Sequence, residues 1–124
     1  MNHSIKFSFI LSLLLSSSFI QANQLQSEIR FLKNYIQSSQ CQFNRNGDIH
    51  SAPEALQHIE KKYQYFKSDI TSAEMFIEKS ASKSTLSGKA YTVICPAVQG
   101  VGQQTLSSKT WLLRALSLYR NSAQ

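Results

Sequence analysis

Residues 80–89, SASKSTLSGK, bring hydroxyl and ammonium groups close together in the chain. Five hydroxyls fall within eight residues, and Lys79, Lys83 and Lys89 flank or interrupt them. Hydroxyls, free backbone amides and ammonium groups can together bind an anionic or polyhydroxylated surface. The same composition is typical of a polar connecting segment that satisfies its own backbone, so both interpretations stay open. We call residues 80–89 the crossover loop. The candidate binding residues are Ser82, Lys83, Ser84, Ser87, Gly88, Lys89 and Tyr91, together with Arg45.

Two short patterns in the crossover loop are also found in enzymes. Ser80 and Lys83 match the Ser-x-x-Lys pattern of serine acyl-transfer enzymes, in which the lysine helps to remove the serine proton. The companion Ser-Asp-Asn and Lys-Thr-Gly elements are absent from the chain. A phosphate-binding loop around Gly88 would need glycine at position 83 and serine or threonine at position 90. Because neither pattern is complete, the sequence predicts a protein without catalytic activity, and a serine acyl-transfer enzyme is the weaker alternative.

Few residues in the chain could bind a metal. His50 and His58 are the histidines that follow residue 22, and no third ligand lies at a metal-site spacing from them. The sequence therefore predicts neither a metal nor a cofactor, and His58 is expected to be a partly exposed helix residue. Arg45 could bind a carboxylate through two parallel hydrogen bonds, or it could be a solvated residue beside a turn.

The first 22 residues have the layout of a secretory signal peptide. Lys6 precedes a nearly unbroken apolar run, FSFILSLLL, and small residues lead to the best cleavage site, after Ala22. The run is shorter than the roughly 20 apolar residues that a membrane-spanning helix needs, which disfavours the alternative of a retained anchor. The sequence thus predicts a periplasmic or secreted bacterial protein with one globular domain, residues 23–124, and no stable membrane span after cleavage.

The net positive charge of the chain indicates which classes of partner it could bind. Loss of Lys6 lowers the net charge from +6 to +5, and the basic residues are spread along the chain. Outside the cytoplasm the available anions include acidic proteins and anionic glycans, whereas nucleic acid is not an expected partner. The expected partner is therefore an envelope protein or an anionic glycan, unless the charge serves only solubility.

Cys41 and Cys95 are the two cysteines of the chain. In an exported protein they most simply form one disulfide. The alternative, a reactive thiol pair, lacks the usual Cys-x-x-Cys spacing.

The spacing of apolar residues predicts an α+β fold. Apolar stripes indicate helices at residues 24–38, 51–67 and 71–80 and from Ser107 or Ser108 onward, with Ser51 and Thr71 as predicted caps and Glu28 on an outer side. Asn46-Gly47 predicts a type I′ turn between two short strands. A third strand spans residues 91–95, and residues 97–104 are expected to form a mobile loop. The predicted architecture is a small antiparallel sheet, a hairpin plus one strand, packed by about four helices.

Several of these motifs together resemble the YfeK-like family of small exported bacterial proteins. They are Cys41-x-Phe43-x-Arg45-Asn46-Gly47, then ALQHIEKKY at residues 55–63, Ser72-Ala73-Glu74-x-Phe76-Ile77, the segment from Ala81 to Tyr91 with Cys95, and Trp111-Leu112. The resemblance covers nearly the whole of residues 23–124 and implies export and a disulfide but no chemistry. Ala90 departs from the proline expected in the family's Gly-Lys-Pro-Tyr.

Residues 87–91 suggest one more alternative. They match Ser-Gly-x-x-Tyr, a motif seen in some bacterial periplasmic inhibitors of lysozyme, whose loop enters the acidic cleft of the enzyme. The resemblance implies that Ser87 and a basic residue could meet catalytic carboxylates while Gly88 allows close approach. The helical pattern here is unlike the β-rich fold of those inhibitors.

Overall fold

The computed structural model describes residues 3–124, with side chains described from residue 18 onward. This part of the chain forms four α-helices, one short 3-10 helix and a four-stranded antiparallel sheet, which confirms the α+β prediction. In chain order the elements are α1 (His3–Ser38), β1 (Gln42–Arg45), β2 (Asp48–His50), α2 (Ala52–Phe66), the 3-10 helix (Lys67–Asp69), α3 (Ala73–Ser80), β3 (Thr92–Cys95), β4 (Gln104–Ser107) and α4 (Ser108–Ser122).

Helix α1 ends at Ser38, as predicted, but begins far earlier than residue 24, at His3. The end of the predicted leader lies outside the core, because Phe19 and Ile20 are exposed. Among the side chains that the structure describes, packing against the core starts at Leu25. No helix in the described residues is long and apolar enough to cross a membrane.

The sheet has the strand order β2-β1-β3-β4. Asn46 and Gly47 connect β1 to β2 with φ values of 55° and 89°, as a type I′ turn requires, so the hairpin prediction is confirmed. The prediction of a hairpin plus one strand missed β4, which pairs with β3, and Gln104 belongs to that strand instead of to a loop. Leu106 is the one apolar residue of β4, so the strand lacks the alternation that predicts a strand from sequence.

The helices pack on the face of the sheet that presents Phe43 and Val93, which are paired across β1 and β3. Trp111 of α4 lies against Phe43, with ring centroids 5.6 Å apart, and against Tyr35 of α1, at 4.7 Å. The fully buried centre of the core is formed by Ile29, Leu32, Ile36, Phe76, Ile77, Val93, Leu112 and Leu116.

Hydroxyl caps start the three later helices, as expected from sequence. Ser51 Oγ accepts from the amide of Glu54 at 3.4 Å, and Ser107 Oγ accepts from the amide of Thr110 at 3.1 Å. The cap of α3 is Ser72 instead of the predicted Thr71, whose hydroxyl donates to the Met75 sulfur. Each cap satisfies an amide that the helix leaves without a partner.

The predicted disulfide is present. Cys41 and Cys95 lie next to Gln42 and Ile94, which pair across β1 and β3, and their sulfurs are 2.02 Å apart. The bond joins two residues with a sequence separation of 54. In the chain-entropy description, a disulfide that closes a loop of this length contributes about 4 kcal/mol to the free energy of unfolding. It fixes the end of α1 to the centre of the sheet.

The prediction that Glu28 faces outward is wrong. Glu28 is buried at 4% exposure and accepts two hydrogen bonds from Arg120 of α4, at 2.5 and 3.1 Å. A third nitrogen of Arg120 pairs with Glu74 of α3. These contacts raise the pKa of Arg120, and the largest cause is the hydrogen bonding of its guanidinium to Glu28. The guanidinium therefore joins α1, α3 and α4 through one ion-pair network.

Candidate functional site

The crossover loop uses much of its polar chemistry on itself. Ser82 is 5% exposed and donates to the Ile77 carbonyl at 2.7 Å, while Ser84 Oγ accepts from the Ser87 amide at 3.2 Å. Ser80 is fully buried. These contacts of Ser82 and Ser84 agree with the interpretation of the crossover loop as a polar connecting segment whose side chains satisfy the backbone.

Backbone hydrogen bonds close the crossover loop into a narrow ribbon. The amide of Ser84 donates to the Lys89 carbonyl and the amide of Tyr91 donates to the Ser82 carbonyl, both at 2.9 Å. Gly88 has a φ of 73°, in the region that favours glycine. Ser87 Oγ then donates to Asn46 Oδ1 at 2.9 Å, so the ribbon is attached to the β1–β2 turn. Two segments that are 41 residues apart are thereby brought together beside Arg45.

Beside this ribbon lies an open hollow of about 300 Å³, which we call the lysine basin. Its walls come from α2, α3 and the crossover loop, and its lining residues are Lys62, Phe66, Glu78, Lys79, Lys83, Ser84, Thr85 and Gly88. Three lysine side chains therefore border one space, together with Phe66 and Thr85.

The lysines of the basin form no close ion pair with the carboxylate that lines it. In the part of the chain that the structure describes, Lys62, Lys79 and Lys83 have no carboxylate oxygen within 4.0 Å. Glu78 lines the basin, but its carboxylate is paired with Lys109 at 2.7 Å. Burial, followed by the positive charges of Arg45 and Lys83, lowers the pKa of Lys62. An anion in the basin would relieve this repulsion.

A second, smaller space lies between α2 and the β1–β2 hairpin, and we call it the Arg45 slot. It offers about 20 Å³ to a water-sized group, and its lining includes Phe43, Arg45, Ile59, Ala81 and Tyr91. Most of the surface that faces the space is carbon. The slot is thus apolar inside, with Arg45 among the residues that line it.

His58 and Tyr91 meet at the slot, with 3.1 Å between His58 Nε2 and the Tyr91 hydroxyl oxygen. Burial, and after it the charge of Arg45, lowers the pKa of His58 to about 4, so the ring is neutral at pH 7. Burial also raises the pKa of Tyr91. The pair is therefore neutral inside a positively charged surrounding.

Five of the eight predicted site residues line one of the two spaces. Lys83, Ser84 and Gly88 line the lysine basin, and Arg45 and Tyr91 line the Arg45 slot. Ser87 holds the ribbon to the hairpin, Ser82 points into the protein, and Lys89 is exposed.

Sequence reasoning did not assign Lys62 or Phe66 to a site, and it treated His58 as an ordinary helix residue. Their spacing carried a usable signal, because residues 58, 62 and 66 are four apart and share one face of α2. Among the described residues, no group of three or more histidine, cysteine or acidic side chains could hold a metal ion.

Comparison with known proteins gives a family without an assigned activity. Over 55 residues the chain is 42% identical to the "Uncharacterized protein YfeK" of Salmonella typhimurium strain LT2, a stretch that covers 44% of this chain and 46% of that relative. The chain thus matches about half the length of this curated relative. No solved structure matches the chain. Residues 23–120 match the "Family of unknown function (DUF5329)", and the match starts directly after the predicted leader. Since this match covers most of the sequence, the chain belongs to the DUF5329 family and is YfeK-like.

Proposed function

We propose that this is an exported, non-catalytic binding protein whose lysine basin binds an anionic sugar group of the bacterial envelope. The observation that carries the proposal is the convergence of three lysines, without a carboxylate partner in the described chain, on one open hollow. The predicted leader supports export, and the Cys41–Cys95 bond suits an oxidising compartment.

The lining of the basin suits a sugar that carries a negative group. The ammonium groups supply the attraction, the Thr85 hydroxyl can exchange hydrogen bonds with sugar hydroxyls, and the Phe66 ring offers an apolar face. Small-molecule pockets typically have volumes of about 300–1,000 Å³, so the basin is large enough for one such group. Because Lys79 and Lys83 are exposed, we expect weak binding that depends on salt.

The geometry gives little support to the serine acyl-transfer alternative. Ser80 is fully buried while Lys83 is exposed, and the hydroxyl of Ser82 is donated to a backbone carbonyl. A nucleophilic serine must face both a base and the substrate.

The lysozyme-inhibitor alternative also loses support. Ser87 Oγ donates to Asn46 Oδ1 at the surface, and Tyr91 is buried at 7% exposure with its hydroxyl against His58, so two of the three fixed residues of the motif already have contacts within the protein. Ser87, Gly88 and Lys89 are exposed at the tip. An assay of peptidoglycan lysis with and without excess protein tests this alternative directly.

Site mapping by two-dimensional NMR tests the basin. Glucose 6-phosphate should shift the amide signals of Lys83, Thr85 and Gly88, and glucose should shift them little. The variant K79Q/K83Q should weaken the response by about tenfold, because two of three charges are removed. The variant R30Q removes a charge from an exposed position of α1 and should respond as the wild type does. Equal responses to both sugars, or an unchanged response in K79Q/K83Q, would refute the proposal.

Export has its own test. The protein recovered from the periplasm or the medium of an expressing bacterium should begin at Asn23 and contain no free thiol. Recovery in the cytoplasm with an intact N-terminus would contradict export while leaving the binding proposal open to the NMR test.

A further inference from the structure

We propose that the Arg45 slot is a second binding site, separate from the lysine basin, and that it takes a carboxylate with a methyl group beside it, as at the end of a peptide that terminates in alanine. The methyl group would enter the slot, and the carboxylate would bind Arg45.

The interior of the slot is suited to a methyl group. Phe43, Ile59 and Ala81 are all at least nine-tenths buried, and the space is about 20 Å³. One water molecule needs roughly 10–15 Å³ and two to four polar partners. The surface that faces the space is mostly carbon, which gives a water few partners beyond His50 Nε2, a buried nitrogen with no hydrogen bond in the described chain, whereas a methyl group would gain from leaving water.

Arg45 supplies the group that binds the carboxylate. The residue is half-buried at the end of β1, and in the described chain no carboxylate oxygen lies within 4.0 Å of its guanidinium. Asp48 is its partner in the strand register, yet the two side chains form no ion pair. A guanidinium matches a planar carboxylate through two parallel hydrogen bonds.

Tyr91 can supply a further donor. When His58 carries its proton on Nε2, it donates to the Tyr91 oxygen across 3.1 Å, and the Tyr91 O–H is then available to a ligand. Lys62 adds attraction at longer range, since its ammonium lies 5.2 Å from the Tyr91 ring centroid. Both contacts favour an anion at the wall of the slot, next to the apolar space.

The size of the slot separates this ligand from the ligand of the basin. On the scale on which one water needs roughly 10–15 Å³, the slot of about 20 Å³ holds one methyl-sized group but not a sugar ring. The two sites therefore differ in ligand class, and the failure of one proposal does not imply the failure of the other.

The experiment is an NMR titration of the full chain with N-acetyl-Ala-Ala in its L,L and L,D forms, N-acetyl-Gly-Gly, the amide-capped alanine peptide and lactate. The alanine peptides should shift the amide signals of Arg45, Ile59 and Tyr91. Loss of the methyl group should weaken binding by about fourfold, the value of one buried methyl group, and the amide cap should abolish it. Lactate tests whether a hydroxy acid serves as well as a peptide end.

Two variants locate the ligand. R45Q should weaken the binding of the alanine peptide by at least about tenfold, because the charged hydrogen bonds between Arg45 and the carboxylate are lost. A55L should fill the slot, since Ala55 lines it, and should remove the preference for alanine over glycine. R30Q should bind as the wild type does. Equal binding of all peptides, an unchanged affinity in R45Q, or shifts confined to the lysine basin would overturn the proposal. Folding of R45Q and A55L is checked by near-ultraviolet circular dichroism, and the wild-type peptide series decides the question without either variant.

Discussion

The ammonium of Lys62 donates a hydrogen bond to the carbonyl oxygen of Lys83 across 2.6 Å, which connects the middle of α2 to the crossover loop. One lysine thereby contributes charge to the basin and also holds the loop that forms its wall. Helix and loop are 21 residues apart in the chain, so this contact is a property of the fold and not of a local motif.

Replacement of Lys62 by methionine should loosen the crossover loop. The hydrogen bond to Lys83 is lost while most of the side-chain packing is kept, so we expect a destabilisation of about 1 kcal/mol at this partly exposed site. Hydrogen exchange at the Ser84 and Gly88 amides should become faster. K61M, at the exposed neighbouring position, should leave the exchange unchanged. Unaltered protection of both amides in K62M would show that the contact does not position the loop.

Removal of the disulfide should cost much of the stability of the domain. The double variant C41S/C95S should lose about 2–5 kcal/mol of unfolding free energy, since the unfolded chain regains the freedom of a long loop. Urea denaturation measures this loss, and wild-type protein under reducing conditions should match the variant. A loss below about 1 kcal/mol would mean that α1 and the sheet hold together without the bond.

The variant E28Q should be strongly destabilising. The substitution replaces the buried carboxylate that binds Arg120 by a neutral side-chain amide. The loss of one charged partner of a buried ion pair costs about 3–5 kcal/mol of unfolding free energy. Because the Arg120 side chain is partly exposed, we expect a value near the lower limit. The matched control is E60Q, which breaks the more exposed pair with Lys33 and should cost less than about 1 kcal/mol. Similar losses in the two variants would contradict the burial of Glu28.

His58 should make stability depend on pH. The unfolded chain binds a proton on this ring near the ordinary pKa of 6.5, whereas the folded protein does so only near a pKa of about 4. The unfolded state thus binds more protons in this window, and stability should fall as the pH is lowered from about 6.5 toward 4. The groups that depress this pKa after burial are Arg45, Lys62, His50 and Lys61.

The expected loss is on the order of 1 kcal/mol, because the ring is partly exposed. The variant H58Q should flatten the profile between pH 5 and pH 6.5. Glu74 and Glu78 have lowered pKa values, from hydrogen bonds with Arg120 and Lys109 respectively, so their contribution is lost only at more acidic pH. A wild-type profile that is flat in the higher window would contradict the neutral His58–Tyr91 pair.

Local signals were enough to predict much of the fold. The Asn46-Gly47 turn, the caps at Ser51 and Ser107 and the apolar stripes on the helices each depend on neighbouring residues, and the structure agrees with them. The strand β4 was missed because an edge strand with one apolar side chain gives no period-two pattern.

The parts that could not be predicted depend on distant partners. Glu28 looked like an outer residue because its burial requires Arg120, which is 92 positions further along the chain. His58 is partly exposed on α2, as predicted, but its contact with Tyr91 and the contact of Lys62 with Lys83 arise only through tertiary packing. Charged residues that occupy a helix face give no sign in sequence of whether another element covers them.

The central claim is that uncompensated lysine charge in the basin attracts an anionic sugar. The most direct measurement is the dissociation constant of glucose 6-phosphate for residues 23–124 at salt concentrations of about 0.01 M and about 0.1 M, between which the screening length falls from about 30 Å to about 10 Å. We predict that the binding weakens several-fold at the higher salt concentration. We also predict that the variant K79Q/K83Q largely loses the binding. Binding that does not depend on salt, or that glucose reproduces without the phosphate, would contradict the account.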